Sequence, residues 1–161
     1  MPSPDQLAWL NTVAAPAAIA SEQATGIPAT LTLAQAIFES AWGSRAPNNN
    51  CFGIKADAHG SGVQYVLTHE YLNGQWEEMP LAFEKYDNLA DCFSDHARLI
   101  QQGVYASAWG QYQQDHDLDA FIKGVAAHYA TDPNYYTEID AEAHSGTVQN
   151  ALQSVRTGVA T

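Results

Sequence analysis

Positive charge is scarce in this chain: six Lys and Arg stand against 18 Asp and Glu, a formal net charge of −12 over 161 residues. So acidic a surface repels phosphate backbones, which excludes nucleic acid as a partner. It also lacks the basic patch that holds proteins on anionic lipid. No apolar run is long enough for a membrane span. Residues 13–20 have the small-residue character of a secretory leader, but residues 1–6 carry an acid in place of the required basic segment, so an Ala-rich helix is the expected reading. Cysteine is nearly missing too. Cys51 and Cys92 cannot form a disulfide framework; one bridge and two buried thiols are equally compatible with them. Without repeats, low-complexity tracts or linkers, residues 1–161 read as one domain, expected to be a monomer. Its 46% hydrophobic content supports a buried core. Small molecules, glycans and proteins remain as partner classes.

Asp5 can cap a first helical stretch running to about residue 23, with Leu7, Leu10, Val13, Ala14 and Ala17 on one face and Pro16 as a point of division. Residues 24–28 break it. A second helix is expected over 30–42, ended by Gly43, followed by an Asn-rich loop to residue 50. The period then changes to two. Val63, Tyr65 and Leu67 share a face, Asn73-Gly74 signals a type I′ turn, and a return strand over 76–83 carries an edge-marking Pro80. Asn88 with Asp91 opens a helix to about residue 102, and Asp117 opens another with Leu118, Phe121, Ile122, Val125 and Tyr129 at helical spacing. A last helix covers 147–156. The expected fold class is α+β, predominantly helical, with one β-hairpin.

Glu39 is the first chemical candidate. It lies among Ala36, Ile37, Phe38, Ala41 and Trp42 near a helix end, where desolvation and the negative end of the helix dipole both raise a carboxyl pKa. A carboxyl protonated near neutral pH is what glycoside cleavage requires of its acid. An ordinary exposed helix residue is the competing reading. Other chemistries fail on their spacing. Asp115, Asp117 and Asp119 start a calcium-loop pattern that Ala120 and Ala126 break. Six histidines include no zinc-binding pair. Neither cysteine has a peptidase signature around it. No metal and no cofactor are expected.

Two stretches, L-A-Q-A-I-F-E-S-A-W-G over 33–43 and N-C-F-G-I-K-A over 50–56, resemble family 73 of the glycoside hydrolases, the glucosaminidases that include flagellar peptidoglycan hydrolases and autolysins. T-H-E-Y-L-N-G over 68–74, F-E-K-Y over 83–86 and Y-A-T-D-P-N-Y over 129–135 extend the resemblance from about Leu7 to Ile139. It implies a lysozyme-like domain whose hairpin flanks the active-site groove. It implies cleavage of the β-1,4 bond between N-acetylglucosamine and N-acetylmuramic acid, with peptidoglycan strands as partner. Glu39 matches the family's acid, Glu70 a second acidic residue on the hairpin, and Tyr129 a tyrosine beside the acid. Glu70 also reads as a cross-strand charge at a hairpin end, and Tyr129 as core packing. Trp42, Phe52 and Tyr135 are candidates for stacking on sugar, and Asn50 and Lys55 for lining the groove. Ala41, Cys51 and Glu84 stand where the family pattern has Gly, Leu and Arg, which bears on groove shape and charge. A muramidase, a lytic transglycosylase and a non-catalytic glycan-binding module are the alternatives. The expected site of action is the periplasm or the extracellular wall. An inhibitor or immunity protein is the protein partner such an activity would call for.

Overall fold

The computed structural model describes residues 1–158. Ser3, and not Asp5, caps the first helix. Its hydroxyl accepts from the Gln6 amide while the Gln6 side chain accepts from the Ser3 amide, a capping box. Helix α1 (Pro4–Trp9) continues through a wide π-turn, Leu10–Ala14, into α2 (Ala15–Thr25). Pro16 in the first turn of α2 has no N–H to donate. The chain adapts just before it, the Ala15 amide bonding back to the Leu10 carbonyl, so the stretch bulges without breaking. The extra residue in that turn shifts the expected stripe. Leu10, Ala14 and Ala17 are buried, whereas Leu7 and Val13 are exposed.

Helix α3 (Ala29–Ser40) is the centre of the molecule: ten of its twelve residues are buried. A helix apolar on all sides belongs inside a core. Ala29, Leu33, Ala36 and Ile37 pack into one apolar cluster with Leu10, Ala18, Phe93 and Leu152. Leu31 and Ala34 pack into a second with Phe121, Ile122, Tyr135 and Ile139. Around it stand α4 (Leu89–Ile100), α5 (Ala106–Asp115), α6 (Leu118–Tyr129), α7 (Tyr135–Ala143) and α8 (Gly146–Thr157). Asn88, Asp117 and Ser145 cap α4, α6 and α8 through their side chains. Helices α5 and α7 are not expected from the pattern of the sequence. α5 buries no residue and is interrupted by Gly110, so it carries little periodic signal. Both cysteines are free and buried.

Strands β1 (Gly62–Leu72) and β2 (Gln75–Lys85) form an antiparallel hairpin, with Leu72 opposite Gln75 and Gly62 opposite Lys85. Asn73 (φ 51°) and Gly74 (φ 85°) both take the left-handed backbone a type I′ turn requires. Pro80 is tolerated because each strand of a two-stranded ribbon has a free edge. The alternation in β1 predicts a strand correctly, yet its apolar face is the exposed one. Tyr65, Leu67, Tyr71 and the cross-strand Trp76 point to solvent, and Gln64, Val66, Thr68 and Glu70 form the half-buried face. The reason is architectural: the inner face borders a cleft, not the helical core.

Candidate active site

Glu39 occupies the last turn of α3, where the helix leaves the core. The helix ends before the Gly43 that the sequence marks as its stop, because Ala41 (φ 48°), Trp42 (φ 59°) and Gly43 (φ 78°) all turn left-handed. Ser40 holds this reversal. Its hydroxyl donates to the Ala36 carbonyl at 2.5 Å and accepts from the Gly43 amide at 2.8 Å. The Trp42 amide donates to Ile37 at 3.1 Å and the Arg45 amide to Ser40 at 2.8 Å. The E-S-A-W-G sequence thus ends the helix one residue beyond its acid. Ala41 is strained there, since a Cβ disfavours the left-handed region by about 1–2 kcal/mol. Ala41→Gly is therefore expected to stabilise the protein by about 0.5–1 kcal/mol, after allowing for the freer unfolded chain. A higher urea midpoint with an unchanged slope is the measurement.

Partial burial raises the Glu39 carboxyl pKa, and the Tyr135 hydroxyl opposes that rise by favouring the charged form. The outer side of the carboxyl stays open to solvent. Tyr135 is itself buried, accepts a 3.0 Å hydrogen bond from Gln35 Nε2 and meets the Phe38 ring edge-on at 5.4 Å. Its ring lies parallel to that of Tyr129 at 5.6 Å, with an interplanar angle of 4°. Burial raises the Tyr129 phenol pKa well above its ordinary value, with added contributions from Tyr135 and from the charge on Glu39. Glu39, Tyr135 and Tyr129 therefore form one cluster. Tyr135, expected on a sugar-stacking surface, is instead closed off beneath the acid, since only 2% of it is exposed.

The open side of Glu39 faces a cavity of about 280 Å³ that includes Arg45, Asn50, Phe52, Gln64 and Val66. A second cavity of about 550 Å³ adjoins it across Phe52 and Gly53 and holds Lys55, His96, Tyr105 and Tyr129. Together they form a groove that α3 borders with its acid and β1 with its inner face. A larger cavity, about 790 Å³, lies elsewhere, among Glu22, Trp109, His144 and Arg156, and contains none of the candidate residues. Asn50 is buried and fully used by backbone. Its Nδ2 donates to Ile54 O at 2.9 Å and Glu84 O at 3.1 Å, and its Oδ1 accepts from Ile54 N at 3.0 Å. That anchors the loop carrying Phe52, Gly53 and Lys55. Phe52 stacks on His96 at 3.9 Å. Burial pushes the His96 pKa down to about 3, so the ring stays neutral. Trp42 packs against the cluster that holds Leu10, Ala18 and Phe93 and lines neither cavity.

Glu70 shares the inner face with Gln64 and Val66 but lies four residues, roughly 14 Å, beyond Val66 toward the hairpin turn. Its cross-strand neighbour is Glu77, a charge of the same sign. Glu84 does not alter the groove's charge. It is buried, and its carboxylate accepts from the amides of Asp57 at 2.6 Å, Gly60 at 3.0 Å and His59 at 3.3 Å, fastening that loop to β2. Sequence reasoning missed Arg45, Gln64 and His96. Arg45 was findable, as one of few cations and within six residues of the acid.

A profile of the family described as mannosyl-glycoprotein endo-beta-N-acetylglucosaminidase matches residues 15–145. An autolysin of Enterococcus faecalis is 40% identical over 130 residues, covering 73% of this chain and 17% of that protein. A probable N-acetylmuramidase of Lactococcus lactis is 34% identical over 138 residues, covering 80% of this chain and 30% of its own. The chain thus spans under a third of either relative. The glycoside hydrolase domain of FlgJ from Salmonella typhimurium superposes with a TM-score of 0.68 at 28% identity, over 98% of this chain and 97% of that one.

Proposed function

We propose that this chain, which belongs to the mannosyl-glycoprotein endo-beta-N-acetylglucosaminidase family, is a peptidoglycan hydrolase that acts outside the cytoplasm. The bond we assign to it is the β-1,4 link between N-acetylglucosamine and N-acetylmuramic acid, and the acid is Glu39. One observation carries the reading: a carboxyl whose pKa is raised by burial faces an open cavity within a longer groove. Protonated, Glu39 delivers its proton to the glycosidic oxygen as the bond breaks. The Tyr135 hydroxyl keeps the carboxyl in one orientation, and Tyr135 and Tyr129 close its inner side to water. Phe52 and Lys55 contact the bound strand, and Asn50 supports their loop. Glu70 serves the second half of the reaction, activating water or steadying the oxocarbenium-like transition state, and the substrate's own acetamido group is the other available nucleophile. Trp42 acts through the turn after Glu39.

Mass spectrometry of digested peptidoglycan tests the bond. Reducing-end N-acetylglucosamine is the expected product. Reducing-end N-acetylmuramic acid would make the chain a muramidase, and 1,6-anhydro ends a transglycosylase. Binding without products would make it a glycan-binding module.

The tyrosine beneath the acid gives a pH prediction. Tyr135 lowers the Glu39 pKa, so Tyr135→Phe raises it further and extends the protonated, active form to higher pH. The alkaline limb of the rate profile is expected to move upward. The same change leaves the buried Gln35 amide without its acceptor and costs about 1–3 kcal/mol of stability. Rates are therefore compared per folded molecule. An alkaline limb that stays in place would remove Tyr135 from the acid's environment.

A further inference from the structure

We propose that Arg45 gives the groove a preference for anionic glycan by pairing with a carboxylate on the substrate's peptide-bearing substituent. The inference rests on the peptidoglycan reading above and identifies which part of that polymer is recognised. Of six Lys and Arg, two form ion pairs among the described residues. Arg98 binds Asp57 at 2.6 Å and Asp95 at 2.8 Å, and Arg156 reaches Glu22 at 3.2 Å. Arg45 makes no ion pair among the described residues, in a chain with 18 acids to choose from. It is exposed and lines the same cavity as Glu39.

Nor is Arg45 the counter-ion of the acid. The Glu39 carboxyl is governed by its burial and by Tyr135, with no contribution from the guanidinium. Lys55, also without an ion pair among the described residues, lines the adjoining cavity across Phe52 and Gly53. An acidic protein thus places free positive charge along its groove. The acetylated sugars of peptidoglycan are neutral, and the negative charge of the strand resides on carboxylates of its lactyl-peptide arms. A guanidinium matches a carboxylate in a two-pronged hydrogen bond. The positive rim also offsets the repulsion that a net charge of −12 exerts on such a polymer. A glycan without carboxylates offers Arg45 nothing to hold.

The experiment compares native sacculi with sacculi whose carboxylates have been amidated with carbodiimide and ammonia. Wild type is expected to lose roughly fivefold in kcat/KM on the amidated polymer, the size of a partly exposed ion pair. Arg45→Gln should show most of that loss on native sacculi already, with only a small further fall on amidation through Lys55, and Arg45→Lys should recover part of the difference. Lys123→Gln, which removes a cation from α6 outside both cavities, should discriminate like wild type. Equal cleavage of both polymers by wild type, or undiminished discrimination in Arg45→Gln, would overturn the inference and leave the hydrolase reading standing. Cleavage of neither polymer would overturn both.

Discussion

Glu39→Gln is expected to lower peptidoglycan cleavage on the order of 10³-fold while leaving a folded protein, because the amide keeps the volume and loses the proton. Its effect on stability has a definite sign. The folded-state pKa lies above the unfolded value, so the native state holds its proton more tightly. The charged carboxylate then carries a stability penalty that is fully present above the folded pKa. That penalty disappears as pH falls through the window between the folded and unfolded values. At pH 7 the glutamine variant should therefore melt no lower than wild type, with any advantage gone in acid. Initial rates on sacculi, paired with thermal melts at pH 7 and pH 4, provide the check. Near-wild-type turnover by a folded variant would end the assignment of Glu39 as the acid.

Gly43→Ala is the largest expected change in stability. At φ 78° an L side chain is strained, and its Cβ would run into the indole of Trp9. Overpacking of about 1–3 kcal/mol adds to roughly 1 kcal/mol of backbone strain. For a chain of this size a loss near 3 kcal/mol corresponds to a fall in Tm of roughly 10 °C. The two causes separate in a cycle. In a Trp9→Ala background the steric part vanishes, and Gly43→Ala should then cost only about 1 kcal/mol. An equal cost in both backgrounds would place the strain elsewhere. Trp9 thereby links the N-terminal helix to the turn behind the acid, a coupling that spans 34 residues of sequence.

The sequence made local chemistry legible wherever one short segment carried the whole message. The Asn73-Gly74 turn, the Asn88 and Asp117 caps and the position of Glu39 at a helix end all have that property, and each appears as expected. Tertiary relations were less legible. Nothing local to Tyr135 shows that it lies buried under the acid, because α3 and α7 meet only in the folded protein. Helical spacing assigned Leu7 and Val13 to the core, but a π-turn ahead of Pro16 rotates the two halves of that stretch relative to each other. Alternation in β1 identified the strand without identifying which side meets the cleft. The Glu at position 84, a departure from the family pattern, looked like a change in groove charge and is instead a clamp on three loop amides.

The side-chain and loop hydrogen bonds that tie the hairpin to the rest of the protein are made near its base, by Gln64 to Pro47 and Asn48, by Glu84 to Ile54 and the 57–60 loop, and by Ala82 to Ala56. From residue 65 to residue 81 its hydrogen bonds, among the described residues, run within the ribbon. A rotation at its base would move such a ribbon as a lever. Glu70 lies five residues beyond Tyr65, where the tethers end, an arm of roughly 17 Å, so a rotation of ten degrees there would carry it about 3 Å. That sweep exceeds the difference between the carboxyl spacings of about 5 Å and about 6.5 Å or more that divide retaining from inverting glycosidases. Given the role proposed for Glu70, the angle at which the ribbon rests on bound glycan would bear on the stereochemistry of the reaction, and a crosslink across its base would fix that angle without touching either carboxylate.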